Sequence, residues 1–253
     1  TSGIGRAIAL GFAAEGARVI ACGRDEAALT SIGVESDDAC IGQRTDVCDE
    51  ASIEAAVAAA IERFGRLDIA VNAAGTGGTP SFVSQADARA AEEIWRTNVL
   101  GLLLCMKHEA RVMQRVGSGS IINVSSLSAR MPSKTMAAYC GSKAAVDEMT
   151  RVAALELGSR GVRVNCIAPG TIATPMTTWL KTNAGFEDAL LAAVPLGRVG
   201  QPQDMVGLAV LLAGDASAYI TGQIFCADGG FGLAGSPDWP EIVRRNRALT
   251  PRG

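Results

Sequence analysis

Ser2-Gly3-Ile4-Gly5-Arg6-Ala7-Ile8-Ala9 opens the chain with two glycines directly before an amphipathic helical pattern, and Gly16 ends that pattern. The run Ala17-Arg18-Val19-Ile20-Ala21-Cys22 follows and has the composition of a strand. Glycines at a helix N-terminus, with a strand about 20 residues on, are typical of the phosphate-binding turn of a dinucleotide-binding fold. That turn also requires a preceding strand and a first glycine, and this strand would be central in the sheet. We therefore expect about 10 to 20 further residues before Thr1 in the working protein.

Strand-like and helix-like segments alternate along the rest of the chain. The patterns predict strands near 41–46, 67–72, 119–126, 162–167 and 223–227, and helices near 25–32, 50–64, 86–116, 136–159 and 203–213. Regular alternation of this kind favours an α/β fold with a doubly wound, Rossmann-like parallel sheet between two helix layers. Two long loops, 76–85 and 171–201, interrupt it, and loops of this length are usually functional, with room in the second for short helices.

Size and composition indicate one domain and exclude several classes of partner. The chain has 253 residues and no linker-like break, so we expect a single domain over 1–253, with a tail of uncertain order at 236–253. Its net charge of -3 offers no basic stripe for nucleic acid. No apolar run approaches the roughly 20 residues that span a bilayer, which predicts a cytoplasmic protein without a membrane segment. Seven cysteines and one histidine without metal-ligand spacing predict neither a disulfide framework nor a metal site.

Tyr139 and Lys143 stand four residues apart, which places a phenol and an ammonium on one helix face. A neighbouring cation favours the phenolate, so we expect Lys143 to lower the pKa of Tyr139 from its usual value of about 10. Such a phenol can exchange a proton with an alcohol or a carbonyl. Ser126 ends the β-branched run from Gly119, 13 positions before Tyr139. Since ligands of open α/β sheets bind at the carboxyl ends of strands, the serine hydroxyl should meet the phenol over a substrate.

Several motifs in a fixed order carry a resemblance over roughly 1–230. They are Ser2-Gly3-Ile4-Gly5, Asp46-Val47, Asn72-Ala73-Ala74-Gly75, Asn98, Ser126, the Tyr139 and Lys143 pair, and Pro169-Gly170-Thr171-Ile172-Ala173-Thr174. Together they resemble the short-chain dehydrogenase/reductase family in its single-domain form of about 250 residues. One departure is Ala73, which replaces the second asparagine of the family's Asn-Asn-Ala-Gly.

The resemblance implies an oxidoreductase that moves hydride between a nicotinamide cofactor and a ketone or secondary alcohol. Tyr139 would be the general acid or base, Ser126 would bind the substrate oxygen, and Lys143 would bind the nicotinamide ribose. Asn98 would hold a water that links Lys143 to solvent, and the alternative is that it only satisfies backbone groups near a helix kink. Cofactor contacts are implied for Ser2, Gly3, Ile4, Gly5, Gly23, Arg24, Asp46, Val47, Asn72, Ala73, Gly75, Tyr139, Lys143, Pro169, Gly170, Ile172 and Thr174.

Position 23 bears on the choice of cofactor. An acidic residue at the end of this strand would bind the ribose hydroxyls and repel a 2′-phosphate, but the chain has Gly23 followed by Arg24. A guanidinium suits a phosphate, so NADP(H) is favoured over NAD(H), which stays open. Asp25 could pair with Arg24 and weaken that preference.

Other functions remain open beside the leading one. A catalytically silent dinucleotide-binding scaffold or sensor is the main alternative. A lyase or epimerase is disfavoured because such relatives carry a longer substrate domain, and an enoyl reductase because that branch spaces its tyrosine and lysine more widely. Family members commonly pair through their long helices, which implies a homo-oligomer, a tetramer or a dimer. An apolar substrate pocket or simple core packing would explain Ala129, Met131, Met136, Met176, Trp179 and Leu180 equally well.

Overall fold

Parallel strands with helices on both faces make up the part of the chain that the computed structural model describes, residues 2–182 and 184–233. The strands are β1 Val19–Gly23, β2 Cys40–Arg44, β3 Ile69–Asn72, β4 Gly119–Val124, β5 Val162–Pro169 and β6 Ile224–Ala227. The α-helices are α1 Gly3–Ala14, α2 Glu26–Glu35, α3 Glu50–Phe64, α4 Ala88–Trp95, α5 Leu102–Val116, α6 Ala137–Leu157, α7 Ala184–Ala193 and α8 Val206–Ala213. The tail 236–253 and the side chains of Trp179 and Leu180 lie outside the described part.

Local signals account for most of these boundaries. Asp49 caps α3 by accepting a hydrogen bond from the Ala51 N–H at 3.2 Å, and Gly65 ends it in the left-handed conformation at φ 77°. The prediction of one helix over 86–116 is corrected, because a π-helix at Arg96–Gly101 separates α4 from α5. The prediction for 203–213 is corrected at its start, where Pro202–Met205 forms a 3₁₀ turn. The long loop at 171–201 does carry helices of its own, Pro175–Thr182 and α7.

The strands form two parallel sheets among the described residues. One contains β1 and β2, and the other has the order β3-β4-β5-β6. A cavity of about 580 Å³ lies between β1 and β3, lined by both strands and by residues of α1, α3 and α5. The single sheet expected from the sequence is therefore found as two sheets among the described residues.

Each sheet face has its own apolar core because neighbouring residues of a strand point to opposite faces. Ile121 of β4 packs with Met113 of α5 on one face. Ile122 packs on the other face with Ile8 of α1 and Leu212 of α8. All five side chains are fully buried or nearly so. This packing holds α5 and α6 on one face and α1 and α8 on the other, which fixes where the carboxyl ends of β3, β4 and β5 meet the helices.

None of the helices within the described ranges combines the length and apolar character needed to cross a membrane. Over the same residues, no three His, Cys, Asp or Glu side chains converge in the manner of a metal site. All seven cysteines are free thiols.

Candidate active site

The carboxyl ends of β4 and β5 open into a cleft of about 200 Å³ that contains the predicted catalytic groups. Ser126 reaches it from just beyond β4, and Tyr139 and Lys143 reach it from the first turns of α6. Predicted cofactor residues line the same cleft: Ser2, Gly3, Ile4, Gly5, Ala73, Gly75, Pro169, Gly170, Ile172 and Thr174. Residues that lie more than 100 positions apart in the sequence are thus brought together at one edge of the sheet.

The two serines after β4 have different surroundings. Ser126 has extended backbone, lies partly exposed in the cleft, and its hydroxyl accepts a hydrogen bond from the Ser128 N–H at 3.1 Å. Ser125 is buried, and its hydroxyl donates to the Lys143 carbonyl at 3.2 Å. Ser125 therefore ties the strand end to α6, whereas Ser126 faces the cleft.

Lys143 is held in place by a backbone acceptor. Its side chain is buried, and Nζ donates to the Val124 carbonyl at 3.0 Å. Burial disfavours the charged form and lowers the pKa of Lys143 to about 8, although the nearby Asp147 carboxylate acts in the opposite direction. Nζ lies 6.0 Å from the centroid of the Tyr139 ring. The ammonium is close to the phenol but directed toward the end of β4.

The pKa of Tyr139 differs in direction from the sequence-based expectation. Burial is the main influence and raises this pKa above its usual value, while hydrogen bonding with Ser126 acts in the opposite direction. The expected lowering of this pKa by Lys143 is not found, because the cost of burying the charged phenolate is the larger influence. In this structure, Tyr139 is a protonated phenol at neutral pH, which is the form that can donate a proton.

Asn98 lies behind the cleft in the π-helix and is fully buried. Its Oδ1 accepts from the Thr76 N–H at 2.8 Å, and its Nδ2 donates to the Thr76 carbonyl at 2.9 Å and to the Ser142 hydroxyl at 3.0 Å. These bonds satisfy loop backbone beside an irregular helix, which is the structural role that the sequence left open for this residue. Through Ser142, Asn98 also supports the turn of α6 that carries Lys143.

The remaining cofactor candidates line the cavity between β1 and β3. They are Gly23, Arg24, Asp46, Val47 and Asn72. The Asp46 carboxylate accepts from the Cys48 N–H at 3.0 Å. The Asn72 amide donates to Glu109 Oε2 at 3.0 Å and to Asn123 Oδ1 at 3.1 Å, so this amide is committed to core partners. The sequence motif did not reveal that commitment.

Two glycines make room for a ligand close to the catalytic groups. A Cβ at Gly75 would lie 3.3 Å from both Lys143 Nζ and Asn98 Oδ1. A Cβ at Gly3, whose φ is +50°, would lie 3.1 Å from Cγ2 of Thr174. Larger residues would narrow the cleft beside Lys143 and beside the N-terminus of α1. The N-terminus of α1 and the space beside these two glycines therefore suit a phosphate-bearing dinucleotide.

Sequence reasoning missed Thr177 and the Val124 carbonyl. The Thr177 hydroxyl donates to the Ile172 carbonyl at 2.6 Å and accepts from the Thr174 N–H at 2.9 Å, and Thr177 lines the cleft. A threonine three residues after Thr174 is a usable signal for a turn held by its side chain. A single backbone carbonyl such as that of Val124 leaves no signal in the sequence.

Comparison with known proteins gives consistent matches over nearly the whole chain. A family profile described as enoyl-(acyl carrier protein) reductase matches residues 1–232. The short-chain dehydrogenase anuF of Penicillium roqueforti is 34% identical over an alignment of 253 residues. The alignment covers 90% of this chain and 92% of that protein.

Two solved structures with nicotinamide cofactors match as well. The 3-ketoacyl-(acyl-carrier-protein) reductase of Brucella melitensis, complexed with NADH, is 32% identical, with a TM-score of 0.85 and coverage of 92% of this chain and 95% of that one. The gluconate 5-dehydrogenase of Burkholderia cenocepacia, in complex with NADP and tartrate, is 31% identical, with a TM-score of 0.87 and coverage of 92% of both chains. With the site geometry, these matches show that the chain is an NAD(P)-dependent oxidoreductase acting on CH-OH and C=O groups, and that it belongs to the short-chain dehydrogenase/reductase family.

Proposed function

We propose that this protein transfers hydride between NADPH and a ketone or secondary alcohol, with Tyr139 as the proton donor in reduction and the proton acceptor in oxidation. The observation that carries this proposal is the convergence of Ser126, Tyr139 and Lys143 in one cleft with the glycines at the start of α1. The cofactor supplies the hydride, so the protein's own task is to bind, orient and move a proton.

Each side chain has a distinct part in that task. The protonated Tyr139 phenol donates to the substrate oxygen as negative charge develops there, and the Ser126 hydroxyl donates a second hydrogen bond to the same oxygen. Lys143 binds the ribose hydroxyls and, when charged, stabilises the phenolate that remains after proton donation. Asn98 keeps the backbone of Thr76 and the turn around Ser142 in position.

The preference for NADP(H) is also part of the proposal. Gly23 presents no carboxylate that would repel a 2′-phosphate, and Arg24 is exposed beside it. Asp25 accepts a hydrogen bond from the Ala28 N–H at 3.1 Å as the N-cap of α2. No ion pair between Arg24 and Asp25 occurs within the described ranges, which supports a role for Arg24 in binding phosphate.

A panel of substrates, assayed with the parent protein and with a phenylalanine variant of each tyrosine, tests the catalytic role of Tyr139. Ketones, secondary alcohols and an enoyl thioester are assayed with NADPH and NADH, and the enoyl thioester tests the reaction in the description of the family profile. We expect turnover of a ketone by the parent, a loss of about 10²-fold or more in Tyr139→Phe, and no change in the control Tyr219→Phe, which alters the fully exposed second tyrosine. Cofactor binding without turnover of any substrate would favour the silent scaffold instead.

Two further proposals concern assembly. An additional parallel strand between β1 and β3 would pair the edges of these two strands that face the cavity. Fusing an apolar strand and a glycine turn ahead of Ser2 should then raise the melting temperature, and an unchanged value would contradict this.

A homo-oligomer, a tetramer or a dimer, would cover exposed Leu103 of α5 and Leu155 of α6. A monomer in sedimentation experiments would exclude it.

A further inference from the structure

Strands β1 and β2 end side by side, and their register places Arg44 next to Gly23. The Thr45 N–H donates to the Gly23 carbonyl at 2.8 Å, so the pairing continues through the last residues of both strands. Neighbouring strands are about 4.8 Å apart, and paired residues point to the same sheet face. Because Gly23 has no side chain, Arg44 has open space beside it at the strand ends.

The direction of the Arg44 side chain follows from its neighbours in β2. A Cβ at Gly42 would lie 2.8 Å from Cβ of Leu29, so this alternate set of positions faces α2. Side chains two residues apart in a strand share a face, which directs Arg44 toward α2 as well. Its Nε lies 3.6 Å from Oε1 of Glu26, in the first turn of α2. Arg44 therefore lies at the same corner of the fold as Arg24.

The ion pair that holds Arg44 is weak and open to competition. The side chains of Arg44 and Glu26 are 70% and 79% exposed, and ion pairs this exposed contribute little. A phosphate carries nearly two negative charges and three acceptor oxygens, and it accepts paired hydrogen bonds from a guanidinium. A phosphate at this corner would therefore displace Glu26 as the partner of Arg44.

We infer that Arg44, together with Arg24, binds the 2′-phosphate of NADP(H), and that Glu26 is its partner when no 2′-phosphate is present. This inference rests on the proposed preference for NADP(H). Arg44 then contributes discrimination between the two cofactors, because NAD(H) offers only ribose hydroxyls at this position and leaves the pair with Glu26 intact. Glu26 lowers the affinity for the phosphate by competing for the same guanidinium.

Calorimetric titration with two adenosine ligands isolates this corner from the catalytic cleft. Adenosine 2′,5′-bisphosphate carries the 2′-phosphate and AMP lacks it. We expect Arg44→Gln to weaken the bisphosphate by about tenfold and to leave AMP unchanged. Glu26→Gln should tighten the bisphosphate by a few fold. Arg111→Gln, at an exposed position of α5, removes one positive charge elsewhere and should change neither affinity.

Different results would contradict the role of Arg44 and the preference for NADP(H). A parent protein that binds both ligands equally would overturn the preference for NADP(H). A parental preference that survives Arg44→Gln, or that falls equally in Arg111→Gln, would overturn the role of Arg44 and leave the preference standing. Arg44 is exposed, so the variant should keep its circular dichroism spectrum and melting temperature. A matching loss of AMP binding would also refute a contact with the 2′-phosphate.

Discussion

Glu109, which lines the cavity between β1 and β3, offers a test of the buried electrostatics there. This residue of α5 is 7% exposed and is hydrogen bonded to the Asn72 amide at 3.0 Å. Burial raises the pKa of the Glu109 carboxyl from 4.5 to about 7, although the bond from Asn72 acts in the opposite direction. The folded protein therefore keeps this carboxyl protonated at a pH where the unfolded chain has already lost the proton.

The sign of the effect follows from proton binding. Between pH 4.5 and about pH 7, the folded state binds more protons at Glu109 than the unfolded state does. The contribution of Glu109 to the free energy of unfolding is therefore fully present below pH 4.5. It falls as pH rises through this window and is constant above about pH 7. Since one pKa unit corresponds to about 1.36 kcal/mol, the loss is about 3 kcal/mol.

Glu109→Gln removes the titration and keeps an oxygen that accepts from Asn72. We expect the difference in unfolding free energy, variant minus parent, to increase by about 3 kcal/mol from pH 4.5 to pH 8, measured by urea denaturation at each pH. Glu93→Gln removes a carboxylate from the exposed surface of α4 and serves as the control. A difference that stays constant with pH for Glu109→Gln would refute the assigned shift.

Two further predictions concern the backbone and the catalytic lysine. Gly161→Ala should cost about 3 kcal/mol or more in urea denaturation, because φ is +74° and a Cβ would overlap the Gly117 carbonyl. Gly65→Ala, at φ +77° with open space around it, should cost only about 1 to 2 kcal/mol, and equal losses would contradict the overlap. Lys143 loses its charge as pH rises through about 8, so kcat for ketone reduction should fall above that pH. A profile that is flat to pH 10 would exclude this charge from the reduction.

The sequence predicted features that depend on near neighbours. The cap at Asp49 and the glycine at position 65 define the ends of α3, and the predicted bounds 50–64 are confirmed. The π-helix at Arg96–Gly101 was not predicted, because it depends on how Asn98 bonds to a distant loop. The raised pKa of Tyr139 was missed for a related reason, since spacing reveals the nearby ammonium but not how deeply the phenol is buried. The place of Arg44 beside Gly23 likewise depends on strand register.

The two hydrogen bonds between the Asn98 amide and the Thr76 backbone limit how the following loop can move. Both the N–H and the carbonyl of Thr76 are bound to one rigid side chain, so the segment that follows is anchored at its root. Any swing of that segment over a substrate must begin beyond Thr76, and Gly78, with φ at +65°, offers a pivot. We expect slow amide hydrogen exchange at Thr76 and fast exchange a few residues later, because the segment is fixed at Thr76 and can pivot only beyond it.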